Sequence, residues 1–248
     1  MLPLPFVTDA RPAIIVPILA RTGEAAVRQA IAASSRDEID AFEWRIDPLF
    51  APDADAGRAG AREELERSYG AFARSRVPTL VTVRSVAEGG YCPVEAYAEA
   101  VTEAIALTPA AVDVEVGREE SADLLAAARA RRVTTVASAH TWESTPTGDE
   151  LDGLFARMAA SGADAAKVAV MPESVGDVLA LLGATWRASR TLRLPVIGIA
   201  MGELGRVTRL CGGEFGSAAT FATAGSGSAP GQMTAEQVDI VRSILRHG

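Results

Sequence analysis

Hydrophobic residues recur along this chain in short, nearly unbroken runs, separated by longer, alanine-rich stretches of helical character. Runs such as AIIVPIL and LVTV are β-branched and show little polar alternation, the pattern of strands buried on both faces. The pattern predicts strands over 13–19, 40–45, 79–84, 111–116, 133–138, 164–170, 196–200 and 217–221. Helical segments follow them at 23–33, 61–74, 94–106, 121–130, 150–160, 174–188, 203–209 and 234–246. Strict strand–helix alternation implies a parallel sheet. Eight such units in 248 residues give about 31 residues each, the scale of a (β/α)8 barrel. The expectation is an α/β protein, a single (β/α)8 TIM-barrel domain over residues 1–248. An open doubly wound sheet is disfavoured because no GxGxxG follows the first strand. The one Gly/Ser-rich stretch, 223–232, lies between the last strand and the last helix. A barrel carries its active-face loops there, and the stretch reads either as a mobile lid of small residues or as an ordinary solvated βα loop.

The carboxyl ends of barrel strands face the catalytic mouth, and here they are loaded with ionisable groups. Strand two ends EWRID, and alternation puts Glu43, Arg45 and Asp47 on one face. Strand three runs into Arg84 and then Glu88, and strand four carries Asp113 and Glu115. Strand five delivers His140, strand six carries Lys167 among small apolar neighbours, and strand seven leads through Met201 to Arg209. The loop after strand eight holds Ser228 and Gln232. Singly, each has a plain structural reading. Glu43 with Arg45, or Asp113 with Arg84, makes an ion pair; His140 is a satisfied core histidine; Phe42 and Trp44 pack the barrel against its helices. Together they ask several charges to converge inside one barrel. Burying unpaired charge is expensive, and a catalytic mouth explains that cost better than a core does.

Composition sharpens the picture at one residue. Of 24 Lys and Arg, a single one is lysine, Lys167. Guanidinium does not lose its proton, so a single lysine in an arginine-rich chain reads either as an amine kept for chemistry that only an amine performs or as chance drift in composition. A net charge of −8 and a pI near 4.9 argue against a nucleic-acid partner. The longest apolar stretch, 13–20, is broken by Pro17 and falls far short of the roughly 20 residues of a membrane-spanning helix. Residues 1–10 lack the basic start and apolar core of a signal peptide, and Cys92 and Cys211 form no CxxC pair. A cytoplasmic protein with reduced thiols is expected. Two histidines and two cysteines this scattered make no obvious metal-ligand set.

Burial favours the neutral form of an amine, and a neutral amine attacks a ketone to form an imine, which serves as an electron sink. His140, one strand before Lys167, is suited to moving protons near neutral pH. The arginines offer bidentate partners for a carboxylate. The combination fits proton abstraction beside an imine on a carboxylated, hydroxylated ketone. The residues alone leave open a class I aldolase, which would favour a phosphate loop after strands seven and eight, and a barrel that binds such a ligand without turning it over.

Seven motifs in order carry a resemblance across nearly the whole chain. EWRID at 43–47, TVR at 82–84 with EGG at 88–90, DVEV at 113–116, SAH at 138–140, the lysine strand at 164–170, MGELGRVTR at 201–209 and SAPGQ at 228–232 resemble type I 3-dehydroquinate dehydratase. The resemblance implies dehydration of the small molecule 3-dehydroquinate to 3-dehydroshikimate, a step toward chorismate and the aromatic amino acids, with no metal or organic cofactor. It implies a Schiff base on Lys167, proton abstraction by His140 and support of His140 by Glu88. Glu43, Arg45 and Arg84 would hold ring hydroxyls, Met201 would line the pocket, and Arg209, Ser228 and Gln232 would hold the carboxylate. A homodimer is expected on the same ground. The chain departs from the family's pattern at Ala139 and Thr141, which flank the histidine, and at Thr208, where serine is usual.

Overall fold

The computed structural model describes residues 4–5, 11–54, 57–225 and 233–247. Its strands are β1 Ala13–Leu19, β2 Ala41–Arg45, β3 Thr79–Thr82, β4 Ala111–Glu115, β5 Thr134–Thr141, β6 Ala165–Val170, β7 Val196–Ala200 and β8 Ala219–Phe221. Between and after them come α1 Gly23–Ala33, α2 Gly57–Ala73, α3 Tyr97–Ala106, α4 Ser121–Ala130, α5 Gly148–Ala160, α6 Val175–Thr191, α7 Arg206–Cys211 and α8 Ala235–His247. The strands form one sheet in the order β7-β6-β5-β4-β3-β2-β1-β8. Parallel register places Ile15 beside Phe221, Arg45 beside Thr82, Thr82 beside Asp113 and Lys167 beside Ile197. The two ends of the order also meet: Val196 and Ser217 form a parallel bridge, and the Ala218 amide donates to the Val196 carbonyl at 2.7 Å. An eight-stranded parallel order that closes on itself, with a helix after each strand, is the (β/α)8 TIM-barrel fold.

The chain divides into two compact units, Met1–Leu4 with Pro17–Val136, and Pro5–Val16 with Ala137–Gly248. In the first, Trp44 of β2 is fully buried and stacks on Phe72 of α2, with ring centroids 4.5 Å apart. The apolar side of β2 thus packs against α2. In the second, α5 and α6 each begin with a capping box, Thr147 with Glu150 and Ser174 with Asp177, which satisfies amide donors that a helix start leaves open. Helix α6 lies so close on β7 that a Cβ at Gly198 would sit 2.0 Å from Thr185 Oγ1. Glycine is the residue that lets those two backbones approach.

Several boundaries differ from expectation. Strand β3 stops at Thr82, so Arg84 lies just beyond it. Strand β5 runs on to Thr141, where the Met171 amide donates to the Thr141 carbonyl at 2.9 Å, and His140 is therefore a strand residue. The helix expected over 203–209 starts at Arg206 and continues to Cys211, because the chain must first turn through Gly205. A Cβ there would lie 2.0 Å from the Ala200 carbonyl oxygen. Strand β8 is confined to three residues.

Candidate active site

In the first unit the charged residues at the ends of β2, β3 and β4 are held in buried and part-buried hydrogen bonds and ion pairs. Arg84 is 3% exposed. It donates from Nη2 to Asp113 Oδ1 at 2.8 Å, and from Nη1 to Glu115 Oε1 at 3.0 Å and Glu88 Oε2 at 3.1 Å. Burial alone would lower the pKa of this guanidinium, but Asp113, Glu115 and Glu88 outweigh it and hold the pKa above its ordinary value. Glu43, almost wholly buried, accepts from Thr82 Oγ1 at 3.1 Å.

Arg45 grips Asp47 with both ends of its fork, Nε to Oδ1 at 2.7 Å and Nη2 to Oδ2 at 2.8 Å. Asp47 does not continue the strand alternation. The chain turns at Ile46 into a 3-10 helix, Asp47–Phe50, with Pro48 in its first turn. That turn brings the carboxylate back onto Arg45 in a bidentate pair, the strongest geometry for these two groups. For Arg45, too, burial lowers the pKa, and the Asp47 hydrogen bond and charge together with Glu43 raise it overall.

In the second unit Lys167 sits on β6 at 5% exposure, its Nζ 4.3 Å from the centroid of the Phe221 ring. An aromatic face stabilises a cation and excludes water from one side of an amine. Phe221 also takes Arg209: its carbonyl accepts from Arg209 Nη1 at 3.0 Å. Arg209 Nε is buried without a hydrogen-bond partner, and among the described residues no carboxylate pairs with this guanidinium. Burial lowers its pKa from the ordinary value. A desolvated arginine with no counter-ion among the described residues is equipped to receive an anion.

The Arg209 backbone is fixed by Thr220 Oγ1, which donates to its carbonyl at 2.8 Å. Thr208, at the position where serine is usual, donates to the Gly205 carbonyl at 2.7 Å and accepts from the Ala200 amide at 3.0 Å. The hydroxyl is what anchors α7, and threonine keeps it. His140 is half-buried near the end of β5, and Met201 follows β7, its amide donating to the Val170 carbonyl at 2.8 Å. Ser228 and Gln232 lie outside the described residues.

Sequence reasoning passed over Phe221, Ser85 and Tyr97. Phe221 is a plain apolar strand residue, and only the fold puts its ring under Lys167. Tyr97 Oη accepts from the Glu115 amide at 2.7 Å, and Ser85 is held by the Glu115 carboxylate. Both lie far from Glu115 in sequence and carry no local signal. Among the described residues no group of three His, Cys, Asp or Glu is placed to hold a metal ion, and no helix is long and apolar enough to cross a membrane.

The chain's single lysine, buried on β6, and an arginine with no carboxylate partner among the described residues, on a fold that aims polar groups at its strand ends, define a (β/α)8 enzyme. A family model for type I 3-dehydroquinase matches residues 14–247. The 3-dehydroquinate dehydratase of Shouchella clausii is 38% identical over 248 residues, covering 96% of this chain and 92% of that protein. The crystal structure of 3-dehydroquinate dehydratase from Geobacillus kaustophilus aligns with TM-score 0.81 at 37% identity, covering 96% of this chain and 92% of that one. A type I 3-dehydroquinate dehydratase from Clostridium difficile, solved with covalently modified comenic acid, aligns with TM-score 0.86 at 32% identity, covering 96% and 93%. The chain belongs to the type I 3-dehydroquinase family, which are hydro-lyases.

Proposed function

We propose that this protein, acting as one catalytic domain over residues 1–248, converts 3-dehydroquinate to 3-dehydroshikimate and water through an imine on Lys167. The observation that carries the reading is the chain's single lysine, buried on β6 against an aromatic ring. The Lys167 amine attacks the ring ketone, and water leaves as the imine forms. His140 removes the proton beside the imine carbon, and the electron pair moves toward the imine nitrogen to give an enamine. The enamine returns that pair to the ring as the β-hydroxyl departs, taking a proton from His140 and leaving as water. Hydrolysis of the imine releases the product and restores the amine. No step draws on an oxidant, a reductant or a metal.

Arg209 receives the substrate carboxylate, an assignment supported by its desolvation and open Nε; Ser228 and Gln232 share that role. Glu43, Arg45 and Arg84 hold ring hydroxyls, Met201 lines the pocket, and Glu88 supports His140. The same reading makes the protein a cytoplasmic homodimer serving the shikimate pathway.

The test is reductive trapping. Protein incubated with 3-dehydroquinate and sodium borohydride gains the mass of the reduced substrate on Lys167, and a Lys167→Arg protein does not. Peptide mapping separates this from reaction at the α-amino group. A folded, ligand-binding protein that traps no substrate defeats the imine mechanism. Trapping without release of 3-dehydroshikimate would leave Schiff-base chemistry on a different ketone, as in an aldolase.

A further inference from the structure

The segment after β3 is a tight turn whose geometry is set from β4. Ser85 is its root. The Ser85 carbonyl accepts from the Glu88 amide at 3.0 Å and the Gly90 amide at 2.8 Å, while the Cys92 amide returns to the Arg84 carbonyl at 3.2 Å. The 3-10 helix Val86–Glu88 ends at Gly89 with φ 79°. A Cβ at Gly90 would lie 2.1 Å from the Arg84 carbonyl oxygen. The turn is therefore closed on Arg84 more tightly than any side chain at position 90 allows, and Glu88 goes where Ser85 sends it.

Ser85 in turn is held by one carboxylate. Glu115 Oε1 accepts from the Ser85 amide at 2.8 Å and Glu115 Oε2 from Ser85 Oγ at 2.7 Å. The same Oε1 accepts from Arg84 Nη1 at 3.0 Å, the nitrogen that also donates to Glu88. Glu115 is fully buried on β4, its amide donates to Tyr97 Oη at 2.7 Å, and Arg118 lies 4.8 Å over the Tyr97 ring. A buried carboxylate collecting three donors from two consecutive residues is pre-organised, because each bond fixes the geometry of the others.

We propose that Glu115 is a positioning residue for the dehydratase reaction: through Ser85 and Arg84 it sets where the Glu88 carboxylate stands. The inference rests on the reading in which Glu88 supports proton movement. Glu115 acts through Glu88, so removing its charge matters only while Glu88 is present.

The experiment is a cycle of Glu115→Gln, Glu88→Gln and the double variant, with kcat for 3-dehydroquinate measured across pH. Glutamine keeps the shape and loses the charge. The expected result is a kcat at least tenfold below the parent for Glu115→Gln, a shifted pH profile, and a double variant within threefold of Glu88→Gln alone. Multiplying effects would mean that Glu115 acts by a route other than Glu88, through the substrate contact proposed for Arg84 or through the fold at large, and would overturn the proposal. So would a Glu115→Gln or a Glu88→Gln protein within threefold of the parent. Ser85→Ala removes one donor and no charge. Its kcat is expected to fall at least threefold, and it decides the matter if Glu115→Gln does not fold, an unchanged kcat then overturning the proposal. A parent protein that does not turn over 3-dehydroquinate overturns the proposed function and this role with it. Active parent and unimpaired variants overturn this role alone.

Discussion

Replacing Arg209 with methionine separates a group kept for stability from one kept for a ligand. Among the described residues the Arg209 side chain makes one hydrogen bond, to the Phe221 carbonyl at 3.0 Å, and its Nε is buried without a partner. Losing that bond costs about 1.5–3 kcal/mol, the usual worth of a hydrogen bond from a charged group. Against this stands the burial of a guanidinium that no carboxylate among the described residues offsets. Its lowered pKa means that folding at neutral pH works against the charge. Methionine fills similar space, follows an irregular contour and carries no charge. The two effects oppose each other, and the net change in stability is expected within about 2 kcal/mol of zero, since removing a buried charge in favour of packing is often neutral or better.

Activity behaves differently. Two charge-assisted hydrogen bonds to a substrate carboxylate, at about 1.5 kcal/mol or more each, amount to about 3 kcal/mol. At about 1.4 kcal/mol per tenfold, kcat/KM falls about a hundredfold or more. The loss should fall mainly on KM, because the carboxylate does not react and is held equally in ground and transition states. Initial rates followed by the absorbance of the conjugated enone product, beside urea unfolding of the same samples, give both numbers. A variant that loses more than about 3 kcal/mol of stability while its kcat/KM stays within threefold of the parent would refute the argument and make Arg209 a structural group.

Two further outcomes follow from the packing and the caps. Gly198→Ala places a methyl group 2.0 Å from Thr185 Oγ1, and overpacking of this kind costs about 1–3 kcal/mol. Urea unfolding should show a lower midpoint with an unchanged slope, and Thr185→Ala in the same chain should recover part of the loss; a Gly198→Ala protein as stable as the parent defeats the close-packing account. At the start of α6, hydrogen bonds from the Glu173 and Ser174 amides, joined by one from Ser174 Oγ, hold the Asp177 pKa below its ordinary value of 3.8. That stabilisation is complete above pH 3.8 and is lost as pH falls through the lower folded value. Asp177→Asn should therefore melt below the parent at pH 7, with the gap closing in acid below pH 3.8. A gap that persists unchanged there would mean the cap does not act through its charge.

Among the described residues the order of eight strands and eight helices was legible because most of the strands are buried apolar runs and most of the helices segments of a different period, several of them alanine-rich. The (β/α)8 class followed from that alternation. Lys167 was legible as well, since it is the one lysine in an arginine-rich chain. What the sequence left undecided are the relations that depend on where strands end and what faces them. Alternation carried Asp47 along β2, but the turn at Ile46 sends it back onto Arg45. Arg84 could be paired with Asp113 from sequence, yet its shared hold on Glu115 and Glu88 depends on a turn closed by Gly90. Phe221 reads as one more apolar residue until register brings its ring to Lys167 and its carbonyl to Arg209. Periodicity and composition are local properties, and so a chain displays them openly. Side chains distant in sequence meet only after strand register and loop closure are set, and only the tertiary structure decides those.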